Sequence, residues 1–257
     1  MELRIIGQRS PYAGPDEATV GYVLEGESGH LILECGSGVT AKYLHQYDLA
    51  DLEGVMISHL HPDHFVDLFP LGFAIKHAQM QGIRSARVPL FLPPGGVDLF
   101  NDVLGWLGDL SNHYAEVFVY EEYHSDSSLE IGAWKVHFHR VYHGMNCHGV
   151  VVEGPQGQRL GYTGDTKMGP QLASFFRGND VLLCEATVES EEEGARTGHL
   201  TAEQAGILAA DAEIDHLVLT HFLPGTDERE KQRAAARHFM GKITVAQAGQ
   251  VYAVERE

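Results

Sequence analysis

Cysteine, basic side chains and long apolar runs are all scarce in this chain of 257 residues, and each scarcity removes a class of protein. The three cysteines, Cys35, Cys147 and Cys184, stand far apart, which argues against a disulfide framework and a cysteine-built zinc site and suits a reducing cytoplasm. Lys and Arg number 18 against 36 Asp and Glu, a net charge of −18, so broad neutralisation of nucleic-acid phosphates or anionic lipid is not expected. No run of about 18 uninterrupted apolar residues occurs and the start carries no long apolar segment, so neither a membrane span nor a secretory leader is expected. No Pro/Gly/Ser-rich linker, low-complexity run or short repeat divides the chain, and one domain over residues 1–257 follows.

What is abundant is histidine, 16 residues in a chain that is otherwise ordinary for a globular protein, with 44% hydrophobic and 21% charged side chains. Apolar periodicity predicts strands near residues 3–7, 19–25, 30–35, 55–57, 88–92, 115–120, 134–141, 149–153 and 159–163. Helices are expected over 39–46, 65–81 and 97–107, the second apolar almost all round and therefore largely buried. The last third alternates strand and helix, with strands at 181–184, 217–219 and 243–246 and helices at 202–212 and 228–239; Thr201 and Gln204 form a capping box for the first of these helices. The whole reads as layered α/β.

Directly after an apolar strand, His59-Leu60-His61-Pro62-Asp63-His64 places four metal-ligand-capable side chains within six residues. In an extended stretch His59 and His61 project together, while Asp63 and His64 turn toward a second point as a helix begins, so two metals are geometrically natural. His143, Asp165 in Gly164-Asp165-Thr166, and His221 after Thr220 sit at strand ends further on. Each is a weak signal alone. Asp67 either orients a ligand histidine or interacts with a helix start, and the run Glu189, Glu191, Glu192, Glu193 reads as a solvated loop. His77, His113, His137, His139, His148 and His216 have no chemical role in this reading.

Taken in order, these residues resemble the metallo-β-lactamase fold superfamily, which implies a four-layer αββα sandwich of two mixed β-sheets. Glu34-Cys35-Gly36-Ser37-Gly38 is similar to its early Asp-Cys-Gly-x-Gly turn, with Glu34 where Asp is usual. Cys184-Glu185-Ala186-Thr187 and Gly198-His199-Leu200-Thr201-Ala202 resemble motifs of the tRNase Z type phosphodiesterase branch, with Cys184 in place of a histidine; Glu17-Ala18-Thr19 and Gly21-Tyr22 resemble its small bacterial members. By this resemblance His59, His61 and His143 hold one metal, Asp63, His64 and His221 hold a second, and Asp165 bridges them. Two Zn²⁺ ions are implied, with Mn²⁺ or Fe²⁺ as substitutes. His61, where oxygen-reducing diiron relatives carry Glu, points to hydrolysis. With such metals bound, Asp63 would accept a hydrogen bond from the attacking water or hydroxide and orient it, and the resemblance implies that Glu185 with His199 forms a proton-donating dyad.

The expected function is a dinuclear zinc phosphodiesterase acting on a small phosphodiester, in a cytoplasmic homodimer with no membrane partner. A tRNA 3′-end processing endoribonuclease is the alternative the motifs suggest most readily. Only residues 144–164 lie between His143 and Asp165, however, and Pro155-Gln156-Gly157 reads as a hairpin turn, leaving no room for a tRNA-gripping arm. Lactone, thioester or β-lactam hydrolysis would leave Glu185 and His199 without a distinctive role. A metal-stabilised interaction module is disfavoured because all seven ligand positions are filled.

Overall fold

The computed structural model describes residues 1–27, 29–108 and 110–256. Strands β1 to β6 are Glu2–Gly7, Gly21–Glu25, His30–Cys35, Leu52–Met56, Val88–Leu92 and Phe118–Glu122; β7 to β14 are Ser128–Ile131, Trp134–Arg140, His148–Glu153, Arg159–Tyr162, Val181–Glu185, His216–Thr220, Lys242–Val245 and Val251–Ala253. They form two seven-stranded sheets, ordered β14-β1-β2-β3-β4-β5-β6 and β13-β12-β11-β10-β9-β8-β7. Both are mixed: β3 to β6 run parallel in one and β10 to β13 in the other, and the remaining pairs are antiparallel.

Alternation along single strands builds the layers. In β3, Leu31 and Leu33 enter a core shared by the two sheets, whereas Ile32 faces the opposite way into a core with helices. In β11, Val181 and Leu183 join the shared core while Leu182 and Cys184 face helices on the far side. Successive side chains of a strand point to opposite faces, so a strand covered on both sides reads as a continuous apolar run. Helices α1 to α5 are Val39–Leu44, Pro62–Phe65, Leu68–Met80, Gly96–Trp106 and Ser111–Ala115; α6 to α9 are Leu172–Phe176, Glu191–Thr197, Ala202–Asp211 and Glu228–Ala235. With α1, α3 and α4 packed on one sheet and α6, α8 and α9 on the other, the architecture is the expected αββα sandwich.

Several expected elements are corrected. The helix expected over 65–81 is α3 and starts only at Leu68, because α2 ends at Phe65 and the Asp67 amide donates to the Cys35 carbonyl at 3.0 Å, turning the chain between them. Nor is α3 buried all round: Phe73 is 51% and Met80 75% exposed, while Leu68, Leu71, Ile75 and Ala78 form the covered face. The strand expected at 115–120 begins only at Phe118, after the short helix α5. Of the acidic run only Glu189 is in a loop: Ser190 caps α7 by accepting from the Glu193 amide, and Glu191, Glu192 and Glu193 fill its first turn, where negative charge suits the helix dipole. The capping box on α8 and the β9–β10 hairpin between His143 and Asp165 stand as expected. No helix of the described residues is long and apolar enough to cross a membrane.

Candidate metal centre

The centre forms where strands end. His59 to His64 follow β4, His143 follows β8, Asp165 follows β10, Glu185 closes β11, and His221 follows β12, so the carboxyl ends of strands from both sheets converge, as is usual for sites in α/β sheets. Backbone strain marks this convergence. His221 has φ +67° and Glu34 φ +66°, left-handed conformations that a non-glycine residue keeps only when its surroundings hold it there. Gly36 is required by close approach, because a Cβ there would lie 1.8 Å from the Asp63 carbonyl oxygen.

All nine singled-out residues, His59, His61, Asp63, His64, His143, Asp165, Glu185, His199 and His221, are drawn into this region. Two groups stand out, His59–His61–His143–Asp165 and Asp63–His64–His221, each offering one ligand atom per residue with those atoms within 4.8 Å of one another. In the first, His59 Nε2 lies 3.0 Å and His143 Nε2 3.2 Å from His61 Nδ1. In the second, His64 Nε2 and His221 Nε2 are 3.2 Å apart and each 3.7 Å from Asp63 Oδ2. Asp165 stands between the groups: Oδ2 is 3.5 Å from both His59 Nε2 and His64 Nε2, and Oδ1 is 3.1 Å from His221 Nε2.

This donor set fits divalent metal. Ligands held about 2.0–2.1 Å from a tetrahedral zinc would lie about 3.3–3.4 Å from one another, close to the nitrogen separations here. Glu34, Asp63, Asp165 and Glu185 are all buried, and among the described residues no lysine or arginine pairs with any of them. Buried carboxylates require compensating positive charge. Asp165 Oδ1, moreover, is buried and has no hydrogen bond among the described residues. Burial lowers the pKa of His59, His61 and His221, which favours the neutral imidazole that a metal needs. Burial would lower His64 too, but Asp165 and Glu34 raise it, so the carboxylates favour a cation at that point.

For His143 and His59 the ring nitrogen that faces away from the centre has a hydrogen-bond partner, and for His64 it stands beside a carboxylate. His143 Nδ1 donates to the Gly198 carbonyl at 2.9 Å, His59 Nδ1 meets Ser58 Oγ at 3.1 Å with Cys147 Sγ at 3.5 Å, and His64 Nδ1 lies 3.6 Å from Glu34 Oε2. Glu34 accepts from the Ser58 amide through both oxygens, so the longer side chain still ties the turn to the motif. Asp67 takes the helix-start part rather than orienting a histidine, but at α1 and not at its own helix: its carboxylate accepts the Thr40 amide in the first turn of α1. His137, His139 and His148 lie outside both groups; His139 bonds Asp126 and His148 bonds Ser125. Beside the centre, Glu185 Oε1 accepts the Thr166 amide at 2.6 Å and His199 Nδ1–H at 3.0 Å. Burial alone would lower the His199 pKa, but the Glu185 hydrogen bond and charge, with Asp165, raise it to about 9. His199 also groups with Asp165 and His221, so its distance to the centre is that of a reacting side chain.

Two hydroxyls escaped sequence reading. Ser10 Oγ donates to Asp63 Oδ2 at 2.9 Å and Thr19 Oγ1 to the Asp63 carbonyl at 2.8 Å. Ser10 is placed by a clasp between the sheets, its amide donating to the Phe222 carbonyl and the Phe222 amide to the Gln8 carbonyl. Nothing in the string Gln8-Arg9-Ser10-Pro11 distinguishes this hydroxyl from one in an ordinary turn.

Fold and site together define a metallo-hydrolase of the metallo-β-lactamase fold. Residues 30–222 match the family described as Beta-lactamase superfamily domain, and the chain belongs to that family. It is similar to a probable metallo-hydrolase, YhfI, of Bacillus subtilis, with 26% identity over 98% of this chain and 99% of that protein. The YhfI crystal structure superposes with a TM-score of 0.89 over 98% of each chain, at 24% identity. A ribonuclease Z of Methanopyrus kandleri is 25% identical over 99% of this chain and 98% of its own length. A diphosphatase of the PhnP family shares the fold, with a TM-score of 0.79 at 16% identity over 99% of this chain and 98% of that one.

Proposed function

We propose that the protein is a metal-dependent phosphodiesterase that holds two divalent metals, zinc by preference, and cleaves small phosphodiesters. His59, His61 and His143 would hold one metal, Asp63, His64 and His221 the other, with Asp165 shared. When bound, such a pair supplies Lewis acidity, lowering the pKa of a water and offsetting charge on the phosphoryl oxygens. The observation that carries the reading is the His199–Glu185 pair beside this two-part cluster. Glu185 fixes the Nδ1–H of His199, which leaves Nε2–H as the proton given to the departing alkoxide. A leaving group that is already a good anion, such as a thiolate or an aryl oxide, needs no such donor. Relatives named for RNA and for diphosphates fit chemistry at phosphorus. A cytoplasmic homodimer belongs to the same reading; it rests on the family resemblance and on three buried, free cysteines.

A small substrate is favoured over tRNA. The net charge is −18, the acidic first turn of α7 lies on the segment leading into His199, and the link from His143 to Asp165 is a short hairpin. Turnover of a cyclic nucleotide and of a precursor tRNA, measured on one preparation, tests this. The cyclic diester is expected to be cleaved, and tRNA to bind no tighter than the non-specific range of about 10⁻⁴–10⁻⁶ M at physiological salt. Site-specific 3′ cleavage of the tRNA, with the diester untouched, would overturn it.

A further inference from the structure

The hydroxyl of Thr187 lies 2.5 Å from Glu185 Oε2 and 2.7 Å from His221 Nδ1. Its proton has one destination. An ionised carboxylate only accepts, so Thr187 O–H donates to Glu185, and its oxygen must then accept from His221 Nδ1–H. That order fixes the His221 tautomer and leaves the Nε2 lone pair facing Asp63, Asp165 and His64. The other Glu185 oxygen is already engaged by the Thr166 amide and by His199. One buried carboxylate thus serves a candidate proton donor directly and a candidate metal ligand through Thr187.

The surroundings hold Thr187 in this place. The buried Lys231 of α9 donates to the Val188 carbonyl at 2.9 Å and the Thr187 carbonyl at 3.4 Å, and the Val188 amide donates to the Leu200 carbonyl, one residue after His199. Among the described residues His221 Nδ1 has no other hydrogen-bond partner, and its left-handed backbone denies it easy rearrangement.

We propose that Thr187 is a positioning residue that couples the second metal-binding half to the His199–Glu185 donor, so that both are set by the same carboxylate. The proposal rests on the metal-centre reading above. Thr187→Val keeps the shape and removes the hydroxyl, whereas Thr187→Ser keeps the hydroxyl. Zinc affinity is measured by chelator competition on metal-free protein, with no substrate present, so a failure of the phosphodiesterase reading would leave this arm intact. In Thr187→Val one of the two zinc sites is expected to lose about 10–100-fold in affinity, as loss of such supporting hydrogen bonds does elsewhere, while Thr187→Ser stays within about threefold of wild type. The leaving-group dependence of turnover steepens in Thr187→Val and is restored in Thr187→Ser. Long-range ¹H–¹⁵N NMR of the wild-type protein is expected to show His221 as the Nδ1–H tautomer, a reading independent of how either variant folds. Unchanged zinc affinity in Thr187→Val, Thr187→Ser as impaired as Thr187→Val, or an Nε2–H tautomer at His221 would each overturn the proposal.

Discussion

Asp165→Asn is expected to bind zinc substoichiometrically and to lose about a thousandfold in kcat/KM on bis(p-nitrophenyl) phosphate, the equivalent of about 4 kcal/mol of transition-state stabilisation. The substitution preserves shape and removes charge at the one carboxylate that faces both groups. Asp165 lies 3.5 Å from His59 and His64 and 3.1 Å from His221, and these imidazoles hold its pKa well below the usual carboxylate range although burial alone would raise it. An amide there removes the negative charge that two divalent cations would share. Metal analysis and kinetics on the same sample check the result. Two tightly held zinc ions and near wild-type turnover would remove Asp165 from the shared position.

His199→Ala is expected to behave differently, keeping its metal and losing activity according to the leaving group. For an alkyl diester the loss should reach about 10²–10⁴-fold, the range for a positioned general acid, and it should shrink to within about tenfold for a p-nitrophenolate, which departs without a proton. The pH profile carries the same signature. With its pKa raised to about 9 by Glu185, His199 is protonated at neutral pH, so wild-type turnover of the alkyl diester falls as pH rises through about 9. The variant lacks that limb. A variant that instead loses one metal would make His199 a ligand, as its grouping with Asp165 and His221 permits, and an equal loss across leaving groups would end the donor role.

How much of this was legible in sequence depends on how far apart along the chain the partners lie. His59 to His64 are compressed into one strand-to-helix turn, so their convergence could be read from residue spacing alone. His143, Asp165 and His221 became readable only through family resemblance, because what brings them together is the register of β8 to β12, which no local pattern encodes. Ser10 stayed silent for a related reason: a hydroxyl has no sequence signature until its partner is known, and Asp63 is 53 residues away; Thr187 was legible as part of the motif with Glu185, but its bond to His221, 34 residues on, was not. The errors in the fold have local causes. The acidic residues before His199 read as a loop when charge was weighed without the Ser190 cap, and the helix expected from residue 65 starts only at Leu68, past the backbone bond from Asp67 to Cys35.

Metal content and cleavage of bis(p-nitrophenyl) phosphate, measured on one preparation before chelation, after it, and after re-addition of Zn²⁺ or Mn²⁺, test the central claim most directly. The account predicts two metals per chain, loss of cleavage with the metal, and recovery on re-addition. A chain that binds no metal, or that binds two and leaves phosphodiesters intact, would contradict it.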